Sequence, residues 1–304
     1  MRTALYIIGF ILLSIGIAFT LRSVDKDKTE SEISDKKDKK DKKDKKKGKQ
    51  DDGIISEVKI IGKHDVPSIL KEISALTYLD NNRFACVQDE LGKIFIYNIN
   101  SSKIEKEISF AGAGDYEGLA IAGKTAYVLR ADGQIFEIKN FDSSNPSTRI
   151  YKTHLTADHN TEGMCFDSKN NRLLIAIKGS EPQNDDYKGI YGFDLSTLKM
   201  DKNPVYKIDL NNPAFSGFKS KKPGSQMQPA AIAIHPMTGD IYITEATKPK
   251  LLIMDNKGNV KTVKQLSSKD FNQPEGISFG PEGQLFISNE GSKEPGNILE
   301  VEDL

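Results

Sequence analysis

The chain has 304 residues, balances 43 basic against 43 acidic side chains and holds two cysteines. The balance is uneven: Lys-rich sequence near the N-terminus leaves residues 54–304 at about −4, which excludes a polyanionic nucleic acid as partner, because phosphate binding needs a basic face. Cys86 and Cys165 both lie inside apolar runs, form no disulfide framework and no metal-ligand spacing, and read as buried free thiols.

In chain order the first element is "ALYIIGFILLSIGIAFTL" (residues 4–21), 18 uncharged and mostly apolar residues between Arg2 and Arg22. That length is close to the ~20 residues that cross a bilayer as a helix and exceeds the ~7–15 of a signal-peptide apolar region. Residues 1–24 are expected to be an uncleaved single-pass membrane anchor, with a cleaved signal peptide as the alternative; no cysteine follows directly, so lipoprotein processing is not supported. Residues 25–53 follow, with Ile33 as their one aliphatic side chain and ten Lys against three Asp in 36–49. Such a segment has almost nothing to bury and reads as a disordered linker. It is a solvated spacer or, alternatively, a polybasic strip on anionic headgroups, each Lys contributing about 1 kcal/mol near the surface. Asp at every third position of 35–44 dilutes that attraction, and Lys after a span favours the cytoplasmic side.

From Gly53 onward, short alternating apolar runs are separated by Gly, Asn, Asp and Pro turns, the all-β pattern. Five first strands align: "ISALTY" (73–78), "EGLAIA" (117–122), "EGMCFD" (162–167), "AAIAIH" (230–235) and "EGISFG" (275–280). Ala75 recurs as Gly118, Gly163, Ala231 and Gly276, at spacings of 43, 45, 68 and 45 residues. A period of about 40–50 residues marks a propeller blade. Second and third strands follow in every unit, and a more polar fourth strand closes the first four. The fifth unit ends without one, and "SEVKIIGK" (56–63) resembles those fourth strands. The reading for residues 54–304 is therefore a β-propeller of five four-stranded blades, closed by its N-terminal strand. The long interval, with a Lys-, Ser- and Pro-rich insert near 211–229, leaves a six-bladed propeller as the alternative.

The first strand of a blade lines the central channel and the second runs antiparallel beside it. The residue starting one and the residue ending the other therefore share a rim. Gly or Ala at the crowded axis lets backbones approach, and the residues before it, Ser74, Glu117, Glu162, Ala230 and Glu275, point at the channel mouth. Two places earlier stand Glu72, Asp115, Asn160, Gln228 and Gln273, all polar. The second-strand ends are assigned as Asp89, Arg130, Lys178, Glu245 and Asn289, so Glu117 is expected to face Arg130, Glu162 Lys178, Ser74 Asp89, Ala230 Glu245, and Glu275 Asn289. Two unit charges 4–5 Å apart interact by roughly 3–4 kcal/mol at an effective dielectric near 20. One mouth would then hold five acids, Asp89, Glu117, Glu162, Glu245 and Glu275; two can be neutralised by Arg130 and Lys178, and the other three must spread apart, take up protons or hold a cation. Glu117, Glu162 and Glu275 are candidate ligands of Ca²⁺, which wants six to eight oxygens, with help from loops 89–92, 179–189 and 289–296. The same ion pairs could serve only to hold blades together.

Catalytic motifs are sparse. "GAGDYEG" (112–118) is Gly-rich but no helix follows it, there is no nucleophile elbow, and His64, His154, His159 and His235 show no metal spacing. His235, in a turn after a first strand, should face away from the mouth.

"EISALTY" (72–78), "VQDELGKIFIYNI" (87–99), "GDYEGLAI" (114–121), "AYVLRADGQIFEI" (126–138), "NTEGMCFD" (160–167), "IYGFDL" (190–195), "AIAIHPMTGDIYI" (231–243) and "QPEGISFGPEGQLFISNEG" (273–291) resemble, in unbroken order, the SdiA-regulated, YjiK-like protein family. The resemblance implies a β-propeller in the bacterial envelope behind an N-terminal apolar segment, hence on the extracytoplasmic, periplasmic side of the cell membrane despite the Lys-rich linker. The family is distantly similar to phytase-like propellers, which use calcium and bind phosphate esters, though no catalytic set carries over to numbered positions. Ser74-Ala75 and Ala230-Ala231 depart from the Glu-Gly pattern. The leading expectation is a membrane-tethered propeller that binds a small ligand or divalent cation: Glu117, Glu162 and Glu275 hold it, Asp89 and Glu245 add charge, and Arg130 and Lys178 receive any anionic group. The alternatives are a calcium-dependent phosphate-ester hydrolase and a scaffold for an envelope protein partner.

Overall fold

A period of two sends alternate side chains to opposite faces of a strand; the middle strands of each sheet bury both faces, whereas outer ones such as Ile60–Asp65 and Lys103–Ser109 alternate half-buried and exposed. The computed structural model describes residues 58–302 except 183, 219 and 221, all within one compact unit, Asp51–Leu304. The expected membrane anchor (1–24) and linker (25–53) lie outside the described residues; among the described residues, no helix is long and apolar enough to cross a membrane.

The chain enters on β1 (Ile60–Asp65) and then winds four antiparallel meanders. Blade 1 is β2 (Ile73–Asp80), β3 (Arg83–Gln88), β4 (Lys93–Asn98) and β5 (Lys103–Ser109); blade 2 is β6 (Tyr116–Ala122), β7 (Thr125–Arg130), β8 (Gln134–Lys139) and β9 (Ser147–Lys152). Blade 3 is β10 (Thr161–Asp167), β11 (Arg172–Ile177) and β12 (Tyr187–Asp194), with β13 (Lys199–Met200) and β14 (Tyr206–Asp209) both pairing along β12. Blade 4 is β15 (Pro229–Ile234), β16 (Ile241–Glu245), β17 (Lys250–Met254) and β18 (Val260–Gln265). Blade 5 is β19 (Pro274–Phe279), β20 (Leu285–Asn289), β21 (Asn297–Val301) and, as its fourth strand, β1. The antiparallel pairing runs from Ile60↔Val301 to Asp65↔Asn297 and closes the ring as the sequence led us to expect.

The inner strands β2, β6, β10, β15 and β19 neighbour one another in a cycle. The small residues permit this: a Cβ on Gly163 would stand 2.8 Å from the Ile232 backbone nitrogen, and one on Gly118 2.9 Å from the Glu162 carbonyl oxygen. Apolar side chains from adjacent blades fill the wedges between them, one cluster per junction. The 68-residue interval is no sixth blade. Its insert folds into two short 3-10 turns, Pro213–Phe215 and Pro223–Ser225, and plugs buried Phe215 and Met227 into the cluster between blades 3 and 4. His235 is structural: it is 3 % exposed and its Nδ1 accepts from the Met237 and Thr238 backbone N–H groups.

Candidate functional site at the channel mouth

Every inner strand begins with a register shift against its second strand: Ile73/Ala75, Tyr116/Gly118, Thr161/Met164, Pro229/Ala231 and Pro274/Gly276. A bulge inserts a residue that the partner strand does not match and re-aims its side chain. Ser74, Glu117, Glu162, Ala230 and Glu275 occupy these bulges, which is the structural meaning of the recurrent residue before the small one.

Glu162 is 3 % exposed; it accepts from Asn160 Nδ2 at 2.8 Å and pairs with Lys178 Nζ at 3.0 Å. Asn160 holds a left-handed φ of +43°, a conformation that Asn tolerates better than most residues. Its carbonyl oxygen accepts from the Lys178 N–H at 2.9 Å, so the residues carrying the two partners of Glu162 are tied to each other. The buried Lys188 ammonium donates to the Lys178 and Gly179 carbonyls and fixes the backbone beneath Lys178. On blade 5, Gln273 Nε2 donates to Glu275 Oε1 at 3.3 Å and to Glu290 Oε2, while the Glu290 N–H donates to the Gln273 carbonyl at 2.9 Å.

Carboxylates crowd this space, and burial together with their mutual repulsion displaces their pKa values upward. Burial, then Glu162, a hydrogen bond to Asp115, and Glu275 push Glu117 up to about 10. Burial pushes Glu162 up to about 7, although Lys178 opposes the rise. Burial also raises Glu275, again against Lys178. Glu290 rises to about 7 through burial and the charges of Glu275, Asp89 and Glu72. Asp89 is raised by burial and by Glu72 and Glu90, and its Oδ1 is buried without a hydrogen-bond partner. Burial works against the charge of Lys178, but Glu162, Glu275 and Glu117 outweigh it and hold the ammonium charged. Beside this cluster lies a cavity of about 310 Å³ lined by Lys178, Ala246, Thr247, Asn272, Gln273 and Glu275.

Glu117, Glu162, Glu275, Lys178 and Asp89 thus form one electrostatic cluster. Arg130, Glu245 and Asn289 do not join it, and the expected pairings with Glu117, Ala230 and Glu275 are not formed. Arg130 forks onto Asp132 (2.7 Å). Glu245 is fully buried in a 2.6 Å ion pair with Lys250, itself 1 % exposed. Asn289 is buried and donates to Asn297 Oδ1 at 3.0 Å. The reason is a one-residue slip. Arg130, Glu245 and Asn289 end their strands opposite Tyr116, Pro229 and Pro274, whereas Asp89 and Lys178 stand one residue beyond β3 and β11. Successive residues point to opposite faces, so one step exchanges mouth for blade interior. The positions equivalent to Lys178 are Asp89, Ala131, Ala246 and Glu290. Glu290 was missed as a site residue, and ending each second strand at a common apolar residue before stepping outward would have found it. Among the described residues, no group of three His, Cys, Asp or Glu side chains is placed to hold a metal ion.

The fold is similar to that in the crystal structure of Myxococcus xanthus glutaminyl cyclase, with a TM-score of 0.55 and 17 % identity over 81 % of this chain and 97 % of that one. A chain of a nidogen/laminin complex matches at a TM-score of 0.47 and 14 % identity, over 71 % of this chain and 72 % of that one. At 17 % identity the likeness to the glutaminyl cyclase speaks for the fold alone. No curated protein matches the sequence. The SdiA-regulated family model matches residues 56–294, and with that match the chain belongs to the SdiA-regulated family as a five-bladed β-propeller.

Proposed function

We propose that this propeller, tethered by residues 1–24 on the extracytoplasmic side of the cell membrane, binds a small organic cation at its channel mouth. The observation that carries the reading is the charge census of the mouth: Glu117, Glu162, Glu275, Glu290 and Asp89 act on one another with Lys178 as the cation among them. Protons on buried carboxyls stand where a ligand cation would do the same neutralising work. The cavity favours a small molecule over a bare ion. Its ~310 Å³ has room for a compact amine or guanidinium, near the lower end of ligand pockets, about 300 Å³, and Ala131 and Ala246 leave the mouth uncrowded on two blades.

Calcium is the competing cation. Held by Glu117, Glu162 and Glu275, it would need all three ionised and drawn together. A phosphate ester fits less well, because it would meet this carboxylate cluster with Lys178 alone to receive it. Titration calorimetry of the full chain with agmatine, putrescine and CaCl₂, in two buffers of different ionisation enthalpy, tests the proposal. We expect saturable amine binding with proton release, lost in Glu162→Gln and Glu275→Gln. No amine binding, or equal binding by the variants, would overturn it; binding of Ca²⁺ alone would reassign the site to the metal.

A further inference from the structure

The five blade junctions repeat one packing device, and one copy is incomplete. In the middle of each second strand one residue stands opposite Thr77, Ala120, Cys165, Ala233 or Ser278 of its inner strand; these are Ala85, Tyr127, Leu174, Tyr242 and Phe286. Each belongs to the apolar cluster that receives a wedge from the next blade's inner strand. The pairs are Tyr127 with Phe166, Leu174 with Ile234, Tyr242 with Phe279 (centroids 5.0 Å apart) and Phe286 with Tyr78 (5.9 Å). Between blades 1 and 2 the same two places hold Ala85 and Ile121. Three junctions carry two aromatic rings and one carries two branched aliphatics, but this one has a methyl and a single aliphatic chain.

A groove of about 620 Å³ opens at this junction, lined by Leu79, Ile96, Ile121 and Phe141 among others. It lies at the far ends of β2 and β6 from the bulges, so it is separate from the mouth. The groove is open to solvent, and the fully buried Ala85 does not itself line it. The volume falls within the range of about 300–1,000 Å³ that takes small ligands.

The rim is asymmetric in charge. Arg83 is held by Asp80 at 2.7 Å, and Asp142 is held by Lys106 at 2.9 Å. Lys124, exposed on the rim, has no ion-pair partner among the described residues. Gly123 beside it has open space around it, since a Cβ there would meet nothing within 4 Å. An incoming molecule thus meets an apolar floor and one uncommitted cation. We propose that the groove between blades 1 and 2 is a second ligand site, which takes a small amphipathic carboxylate with its apolar body on Ile121 and Leu79 and its anionic group on Lys124.

The test is ¹⁹F NMR of 3-(4-fluorophenyl)propionate with the full chain in lipid nanodiscs, against empty nanodiscs and against the neutral 3-(4-fluorophenyl)propan-1-ol. Wild type should broaden the carboxylate signal saturably. Lys124→Met should weaken the carboxylate about fivefold, the scale of one exposed ion pair, and leave the alcohol unchanged. Ile121→Phe supplies the missing wedge; it should abolish binding of both probes and melt no lower than wild type. If that variant fails to fold, Lys124→Met and the alcohol decide alone. No saturable binding beyond empty nanodiscs, or equal carboxylate binding by wild type and Lys124→Met, would overturn the proposal.

Discussion

Glu117→Gln isolates the proton-holding mouth. In the unfolded chain this carboxyl titrates near 4.5, and in the folded protein burial and its acidic neighbours move it to about 10. A raised carboxyl contributes stability that is fully present below the unfolded value and is lost as pH rises toward the folded one. Over that window the native state holds a proton that the unfolded chain has given up. Stability therefore falls by about 1.4 kcal/mol for each pH unit from this group alone, or about 3 kcal/mol between pH 5 and pH 7. Glutamine keeps the shape and a donor toward Asp115 but has no proton to lose, so the variant should show that much less pH dependence. Urea unfolding midpoints of both proteins at pH 5, 6, 7 and 8 measure the difference. Glu162 and Glu290, raised to about 7, leave a residual slope in both that flattens above pH 7. Parallel stability curves for the two proteins would refute the reasoning, because they would mean that Glu117 ionises in the folded state as it does in water.

Two further substitutions probe what holds the ring. Gly163→Ala places a methyl 2.8 Å from the Ile232 backbone nitrogen, where the neighbouring blade cannot yield by rotating a side chain; a loss of about 1–3 kcal/mol is expected in denaturant unfolding, and an unchanged midpoint would mean that the inner strands are less tightly apposed. Lys250→Met strands Glu245, which is buried with Oε1 already lacking a partner; the single variant should lose about 3–5 kcal/mol, and the double variant with Glu245→Leu should recover part of it. A double variant no more stable than Lys250→Met would show that the pair contributes more than its own desolvation.

The mouth is uneven because the blades are unequal copies. Blades 2, 3 and 5 place Glu at the bulge, while blades 1 and 4 place Ser74 and Ala230. Past the second strands, blades 1 and 5 add Asp89 and Glu290, blade 3 adds Lys178, and blades 2 and 4 add only Ala131 and Ala246. Neutralising power is concentrated on blade 3, which explains why Glu162 has a salt-bridge partner while Glu117, beside other acids, is pushed up to about 10.

Strand order and closure by β1 were legible from the residues alone, because period-2 alternation, turn residues and a 43–45-residue recurrence are local signals that survive without coordinates; five blades was the leading reading, and the structure removed the sixth that the 68-residue interval left open. The same signals placed Glu117, Glu162 and Glu275 around one axis. What the tertiary structure decided was which neighbour each side chain meets. A bulge at the head of every inner strand and a one-residue difference in where a second strand stops send Lys178 into the mouth, Arg130 onto the partly exposed Asp132, and Glu245 and Asn289 into the blades. The groove between blades 1 and 2 was equally hidden, since its walls, Leu79 and Ile96 on one blade and Ile121 and Phe141 on the other, are brought together from two blades. Local order follows from the alternation of residues along one strand; the chemistry follows from distances between strands far apart in sequence, and those are fixed only when the ring closes.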